Sequence, residues 1–225
     1  MIVLVCLEAP QPGRGAKAAE ALARRLVGVA QTVAISAGGT ANSEAIAWAL
    51  GRRSFQRIIH LDAPSLDKTD FMTLGTVLAE VARKVEANVV IAGEHSDVEG
   101  QGLVPAALAH QLHAPLLSRV QDVRLPSPDS RQLEITVPAG GRLCTLECPF
   151  PVVLTTTAAF ESEAVAPEVP SAASVVETIT LAQLALDSSR LVPRPELLGS
   201  RLPLPASKTR HMTSDEAARI LLRRQ

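Results

Sequence analysis

The residues best suited to hold a ligand lie in one polar, glycine-rich loop that separates an apolar segment from a helical one. The loop and the first residues of the helical segment contribute Asp97, Glu99, Gly100, Gln101, Gly102, Leu103 and Val104. Gly100 and Gly102 allow a ligand to approach the backbone closely, and the free N–H groups at a helix start attract anions. We therefore expect this loop to bind the phosphate of a nucleotide or of a flavin.

Three side chains in or near this loop could also take part in proton transfer. Asp97 and Glu99 could act as paired carboxylates, but loop acids of this kind are more often solvated, and here they would repel a phosphate. His95 could touch a ligand, although it has no Ser, Cys or Asp partner in a recognisable arrangement. The sequence predicts no catalytic residue.

Two other pairs of residues, one of histidines and one of cysteines, are of types that can bind a metal. His110 and His113 are three residues apart and share a helix face, but a metal site needs a third ligand and none is evident. Cys144 and Cys148 lack the two-residue spacing of a zinc or redox pair, which favours small buried hydrophobes. We predict no metal site.

The common nucleotide-binding signatures are incomplete or missing. Gly13 and Gly15 follow the first apolar segment, but the third glycine of a dinucleotide fingerprint is not present, and the chain contains no P-loop. This argues against a Rossmann-type dehydrogenase and against a P-loop nucleotidase.

The first half of the chain alternates short apolar segments with helical patterns, which indicates βαβ units and a parallel sheet. The predicted strands are Ile2–Leu7, Gln31–Ile35, Arg57–Leu61 and Val89–Ala92. The predicted helices are Ala16–Val27, Asn42–Leu50, Thr69–Ala87, capped by Thr69 or Asp70, and Leu103–Leu112, with Pro105 in its first turn. Ligands of such sheets bind where the strands end, which places the glycine-rich loop at the binding edge.

The second half changes pattern. Four segments have strand patterns and are joined by turn residues, which predicts an antiparallel extension of the sheet. They are Leu117–Leu125, Gln132–Val137, Arg142–Glu147 and Val152–Thr156. Residues 160–173 read as a loop or an arm. Prolines recur after residue 181, so we predict one α/β domain over residues 1–180 and an arm over 181–225 that ends in an amphipathic helix.

Composition excludes several functions. The formal net charge is -1, which gives no general attraction for nucleic acid, and aromatic residues make up only 2%, which nearly excludes base-stacking surfaces. Three cysteines do not form a disulfide framework, and this fits a reducing compartment. No segment is long and apolar enough for membrane insertion, so the sequence predicts a soluble, cytoplasmic protein.

Several segments, in the same order, resemble the beta subunit of electron transfer flavoproteins. They are the opening residues 1–8, the strand, loop and helix of Ala87–Pro115, the Gly140–Thr156 stretch, the Pro167–Pro170 step, and Glu177–Leu184, which resembles the start of that family's C-terminal arm. The resemblance covers almost the whole chain.

The resemblance implies an open α/β sheet of the adenine nucleotide α-hydrolase-like type. It also implies a heterodimer with an alpha subunit that carries redox-active FAD, and electron transfer from a flavin dehydrogenase. The beta subunit itself would hold AMP or a second FAD. By position, Cys6 and Leu7 would border the adenine, as would Ser36 to Gly38, while Asp97 to Val104 would hold the phosphate. Residues 158–170 correspond to the loop that docks the dehydrogenase.

The phosphate loop departs from the family pattern. Where the family has Asp, Asn, Gln and Thr, this chain has Gly100, Gly102, Leu103 and Val104. Backbone N–H groups would therefore replace most side-chain contacts to the phosphate. Two alternatives stay open: a stand-alone adenine-nucleotide module of the universal-stress type, and a structural subunit whose nucleotide site has decayed.

Overall fold

Strands and helices alternate from the start of the chain, as the apolar pattern predicts. The computed structural model describes residues 1–7, 12–39, 43–52, 54–94, 102–157, 175–184 and 186. The strands are β1 (Ile2–Leu7), β2 (Gln31–Gly38), β3 (Arg57–Asp62), β4 (Val89–Gly93), β5 (Leu116–Leu117), β6 (Asp122–Arg124), β7 (Gln132–Ala139), β8 (Arg142–Pro149), β9 (Val152–Thr156) and β10 (Val175–Thr180). The α-helices are α1 (Arg14–Ala23), α2 (Ser43–Leu50), α3 (Phe71–Lys84) and α4 (Val104–Leu112). Short 3-10 helices span Arg24–Leu26, Pro64–Lys68 and Leu181–Leu184.

The main sheet has seven strands in the order β10-β3-β2-β1-β4-β9-β5, and every pair in it is parallel. This confirms the predicted α/β fold class with an open, mostly parallel sheet. Because β1 lies between β2 and β4, the chain winds outward from β1 in both directions. Such a reversal opens a crevice beyond the carboxyl ends of the two central strands, which is where sheets of this class bind ligands.

Both faces of the sheet are covered, which explains the nearly continuous apolar character of its central strands. Val3, Val5 and Leu7 pack with α1 and α2 on one face, which we call the α1 face. Leu4 packs with α3 and α4 on the other, the α4 face. Successive residues of a strand point to opposite faces, so every side chain at the end of a strand can be assigned to one of them.

The antiparallel part of the second half is present, and it forms a sheet of its own. Strands β6, β7 and β8 make a three-stranded sheet whose inner side chains join the core of the α1 face. The prediction that Val152–Thr156 is an antiparallel strand is wrong. This segment is β9, which lies in the main sheet, parallel to both β4 and β5. All five of its residues are buried, as expected for a strand that is covered on both faces.

Two other predictions need correction. Leu117–Leu125 is not one strand, because β5 and β6 belong to different sheets and Arg119, with φ 60, turns the chain between them. The strand β10 was not predicted; it pairs with β3 at the edge of the main sheet. Edge strands have weaker apolar patterns, since one side of them meets solvent.

The predicted helix starts agree better with the structure. The side chain of Asp70 caps α3 by accepting a hydrogen bond from the Thr73 N–H at 2.7 Å, and Pro105 lies in the first turn of α4. The predicted loop at 160–173 lies outside the described residues, as does most of the predicted arm. In the part of the chain that the structure describes, no helix is long and apolar enough to cross a membrane.

Candidate functional site

The carboxyl edge of the main sheet brings together residues that are far apart in the sequence. Leu7, the last residue of β1, is in register with Ser36 of β2. Gly93, the last residue of β4, is in register with Thr156 of β9. The crevice between β1 and β4 is thus bounded by β2 on one side and by β9 on the other.

The predicted adenine-bordering residues all lie at this edge, but they do not share a face. Leu7 and Ser36 belong to the α1 face, whereas Cys6 packs against the core of the α4 face. Burial raises the pKa of the Cys6 thiol to about 12. Cys6 is therefore a neutral group at physiological pH, which suits an uncharged base better than a phosphate.

The end of β2 is held in place by two hydrogen bonds. The Ala63 N–H donates to the Gly38 carbonyl oxygen at 2.9 Å, and the Gly39 N–H donates to Oδ1 of Asp67 at 3.1 Å. Gly38 has φ 139, a conformation that favours glycine. A defined, side-chain-free stretch of backbone therefore borders the predicted adenine position.

The N-cap residue of α4 does not cap the helix with its own side chain. Leu103 occupies the N-cap position without a side-chain hydrogen bond, and Gly102 before it has φ 59. The Leu103 side chain is 42% exposed, whereas Val104 packs partly against the α4-face core. The remaining predicted phosphate-loop residues, Asp97, Glu99, Gly100 and Gln101, lie outside the described residues. They stay predictions.

A second helix start, that of α1, lies at the same edge. A Cβ placed on Gly93 would be 2.7 Å from the Cα of Gly15, so α1 begins in backbone contact with the end of β4. The N-cap of α1, Gly13, has no side chain to offer its first N–H groups. The sequence signal for this contact is the Gly13–Gly15 pair, which the sequence alone shows as an incomplete dinucleotide fingerprint.

Unpartnered polar atoms are concentrated at this edge. Among the described residues, the buried side-chain atoms without a hydrogen-bond partner are Ser36 Oγ, Trp48 Nε1, His60 Nδ1 and Thr155 Oγ1. Ser36, His60 and Thr155 lie in the last three residues of β2, β3 and β9. Ser36 and His60 are in register on the α1 face, whereas Thr155 lies on the α4 face. An unsatisfied buried polar group costs about 1–3 kcal/mol, so groups of this kind at the carboxyl edge are suited to a ligand. Sequence reasoning gave no role to His60 or Thr155; their signal was a polar residue near the end of an apolar strand.

Comparison with known families decides what kind of domain this is. The family model for the electron transfer flavoprotein domain matches residues 14–184. The chain belongs to the electron transfer flavoprotein family. No curated protein matches the chain significantly.

His95 of this electron transfer flavoprotein domain lies outside the described residues. The described candidates His110, His113, Cys144 and Cys148 do not form a metal or redox site. The rings of His110 and His113 have centroids 6.5 Å apart, and the described part of the chain holds no cluster of three or more His, Cys, Asp or Glu that could bind a metal. Cys144 and Cys148 are both free thiols on β8. Burial raises the pKa of the Cys148 thiol, which disfavours its reactive thiolate form.

Proposed function

We propose that this chain is a beta-type electron transfer flavoprotein subunit. In this proposal it pairs with an alpha-type subunit that carries FAD, and the heterodimer passes electrons from a flavin dehydrogenase to an acceptor. The observation that carries the proposal is the family match over residues 14–184. The beta-type assignment is supported by the resemblance of Gly140–Thr156 and Glu177–Leu184 to segments of the beta subunit.

In this proposal the chain is an electron-carrier subunit rather than a catalyst. Bound FAD would supply the electron chemistry. The residues of this chain would shape one wall of its site and present the surface that the dehydrogenase recognises. Burial of the Cys6 thiol raises its pKa, which disfavours the thiolate form that a nucleophile needs.

We further propose that the carboxyl edge of the main sheet holds an adenine nucleotide such as AMP. The adenine would border Cys6, Leu7 and the Ser36–Gly38 backbone, and the phosphate would face the start of α4. The uncapped N–H groups of that helix support the phosphate position, because its dipole and free donors both favour an anion. The unpartnered Ser36 and Thr155 hydroxyls are the further polar groups that a nucleotide could use at this edge.

A structural subunit without a nucleotide is the second candidate. It is favoured by the apolar side chains of Leu103 and Val104 at the start of α4. A stand-alone module of the universal-stress type is less compatible with the family match, since that match covers all the described helices.

The deciding experiment is co-expression of this chain with the alpha-type subunit encoded nearest to it. We expect a yellow heterodimer that releases FAD, with AMP or extra FAD in the same extract. Each chain expressed alone is the control. A colourless homodimer that releases ATP would contradict the electron-transfer assignment, and a yellow heterodimer that releases only the alpha-type subunit's FAD would favour the structural subunit.

A charge placed at the start of α4 tests the nucleotide position separately. Leu103→Glu brings a carboxylate to the proposed phosphate position, so AMP content should fall while the heterodimer and its FAD persist. Leu143→Glu is the matched control, because Leu143 is 67% exposed on β8 in the other sheet. Equal AMP content in both variants would place the nucleotide elsewhere.

A further inference from the structure

Two consecutive threonines at the end of β9 differ sharply in how their hydroxyl groups are used. Thr156 is fully buried, and its Oγ1 donates to the Val120 carbonyl oxygen at 3.1 Å. Thr155 is 3% exposed, and its Oγ1 has no hydrogen-bond partner. Valine would fill the same space without leaving a buried hydroxyl unpaired. The Thr155 hydroxyl therefore has no role in the described fold itself.

The Thr155 side chain points to the α4 face. Its neighbour two residues earlier, Val153, packs in the α4-face core with Leu108 and Ala109 of α4, and residues two apart on a strand share a face. Thr155 is in register with Ala92 of β4. Ala92 carries only a methyl group, so the hydroxyl of Thr155, which is shielded from solvent, has no bulky neighbour on β4.

The first turn of α4 lies at the same end of the sheet. The helix is followed after three residues by β5, which pairs in parallel with β9 from Leu116, opposite Val153. The helix therefore runs antiparallel to the strands, with its last turn toward their amino ends and its first turn toward their carboxyl ends. Since α4 packs on β9, Thr155 lies beneath that first turn.

The two residues that the structure describes at the start of α4, Leu103 and Val104, have apolar side chains that cannot bind an anion. A phosphate at this helix start would find backbone donors but no hydroxyl from the described part of the loop. Among the described residues, an unpaired hydroxyl at this end of the sheet comes from the neighbouring strand β9.

We propose that Thr155 is a phosphate ligand, whose hydroxyl donates a hydrogen bond to a phosphate-monoester oxygen held at the start of α4. This inference rests on the nucleotide site proposed above, and it extends that site to a residue on β9. Because Thr155 is already shielded from solvent, its bond to an anion forms without the loss of a hydrogen bond to bulk water.

The test compares three substitutions in the purified full-length chain, in complex with its alpha-type partner. Thr155→Val removes the hydroxyl and keeps the shape of the side chain, and Thr155→Ser keeps the hydroxyl. Thr156→Val removes the hydroxyl that donates to the Val120 carbonyl oxygen. Titration calorimetry with AMP, adenosine and inorganic phosphate measures each affinity after bound nucleotide has been removed. Thermal denaturation measures stability.

We expect Thr155→Val to weaken AMP binding by about tenfold or more, the usual effect of losing a hydrogen bond to a charged group. Adenosine has no phosphate, so its affinity for the Thr155→Val variant should equal its affinity for the unsubstituted chain. Thr155→Ser should keep most of the AMP affinity. Thr156→Val should lower the melting temperature and leave AMP affinity unchanged. If Thr155→Val does not fold, Thr155→Ala carries the same comparison.

Different failures are distinguishable. Unchanged AMP affinity in Thr155→Val, or equal loss for AMP and adenosine, would overturn the role of Thr155 while the nucleotide site stands. Binding of inorganic phosphate but not of AMP would remove the nucleotide proposal, and a weaker phosphate affinity in Thr155→Val would still support Thr155 as the ligand. If none of the three probes binds, both proposals fall.

Discussion

Gly93 and Gly15 meet backbone to backbone: a Cβ on Gly93 would lie 2.7 Å from the Gly15 Cα and 2.8 Å from its carbonyl carbon. Gly93 ends β4 and Gly15 lies in the first turn of α1. Their contact brings the start of α1 to the end of β4. Between β1 and β4 the order in which strands are added to the sheet changes direction. The two glycines thereby bring both helix starts of the candidate site to one edge.

Gly93→Ala should destabilise the protein, because the added methyl group has no room and α1 would have to shift. Forced overpacking of this kind costs about 1–3 kcal/mol. Urea denaturation measures the free energy of unfolding. Gly51→Ala is the control, since a Cβ there would be 3.4 Å from its nearest neighbour, the Trp48 carbonyl oxygen. Equal stability of the two variants would contradict the close contact.

Ser54→Ala should also lower stability, through the carboxyl group of Glu20. Glu20 is 5% exposed on α1, and Ser54 Oγ donates to its Oε1 at 2.6 Å. The Arg24 Nε atom lies 3.6 Å from the same oxygen. Loss of a buried hydrogen bond to an acidic group costs about 1.5–3 kcal/mol. Ser118→Ala at an exposed position is the control, and a loss no larger than that of the control would show that Arg24 alone satisfies Glu20.

Asp70→Ala should weaken the start of α3, because Asp70 accepts the Thr73 N–H at 2.7 Å. Replacement of a capping residue by alanine costs about 0.5–2 kcal/mol. Asp70→Asn should restore most of the loss, since asparagine is an equally good cap. The hydrogen-exchange rate of the Thr73 amide measures how often the start of α3 opens. If its protection in Asp70→Ala is unchanged, the cap does not contribute.

The cysteines should react with iodoacetamide in a defined order. Cys144 and Cys6 are both partly exposed as residues, and Cys148 is buried. At pH 8 we expect Cys144 to be labelled first, because burial of the other two thiols raises their pKa. Cys6 should be slow, because its pKa is raised from 9.0 to about 12 and its thiolate fraction stays small until the pH approaches that value. The same shift means that Cys6 favours the folded state below pH 9.0 and that this contribution declines as the pH rises from 9.0 to about 12. Peptide mapping by mass spectrometry measures the rates, and early labelling of Cys6 at pH 8 would contradict its burial.

The first half of the fold could be predicted from the sequence because its signals are local. Each buried parallel strand is a short apolar segment, and each helix has a periodic pattern with its own start, such as Asp70. The second half could not be predicted in the same way. β7 alternates polar and apolar residues, whereas β9 begins with three apolar residues and is buried throughout. Nothing within five residues of β9, however, says that its partner is β4, more than fifty residues earlier in the chain. Strand partners depend on burial across the whole sheet.

The candidate site was predictable in position but not in all its residues. Topology alone places Leu7, Ser36 and the start of α4 at one edge, since parallel strands end on the same side. Thr155 escaped notice because a threonine in a strand is ordinary in sequence. Only its orientation toward α4, and the lack of a partner for its hydroxyl, distinguish it from Thr156.

The place of β9 between β4 and β5 has a consequence for the order in which the sheet is built. By residue 93 the chain has made β3, β2, β1 and β4, which pair with one another. The next strand of the sheet in chain order, β5, pairs only with β9, which is made some thirty-five residues later. A chain cut between β8 and β9 would therefore leave β5 without a partner and β4 as an open edge, ready to pair with another chain. The part of the sheet made of β9 and β5 forms only after the antiparallel strands have been synthesised. The same holds for the side of the crevice that contains Thr155.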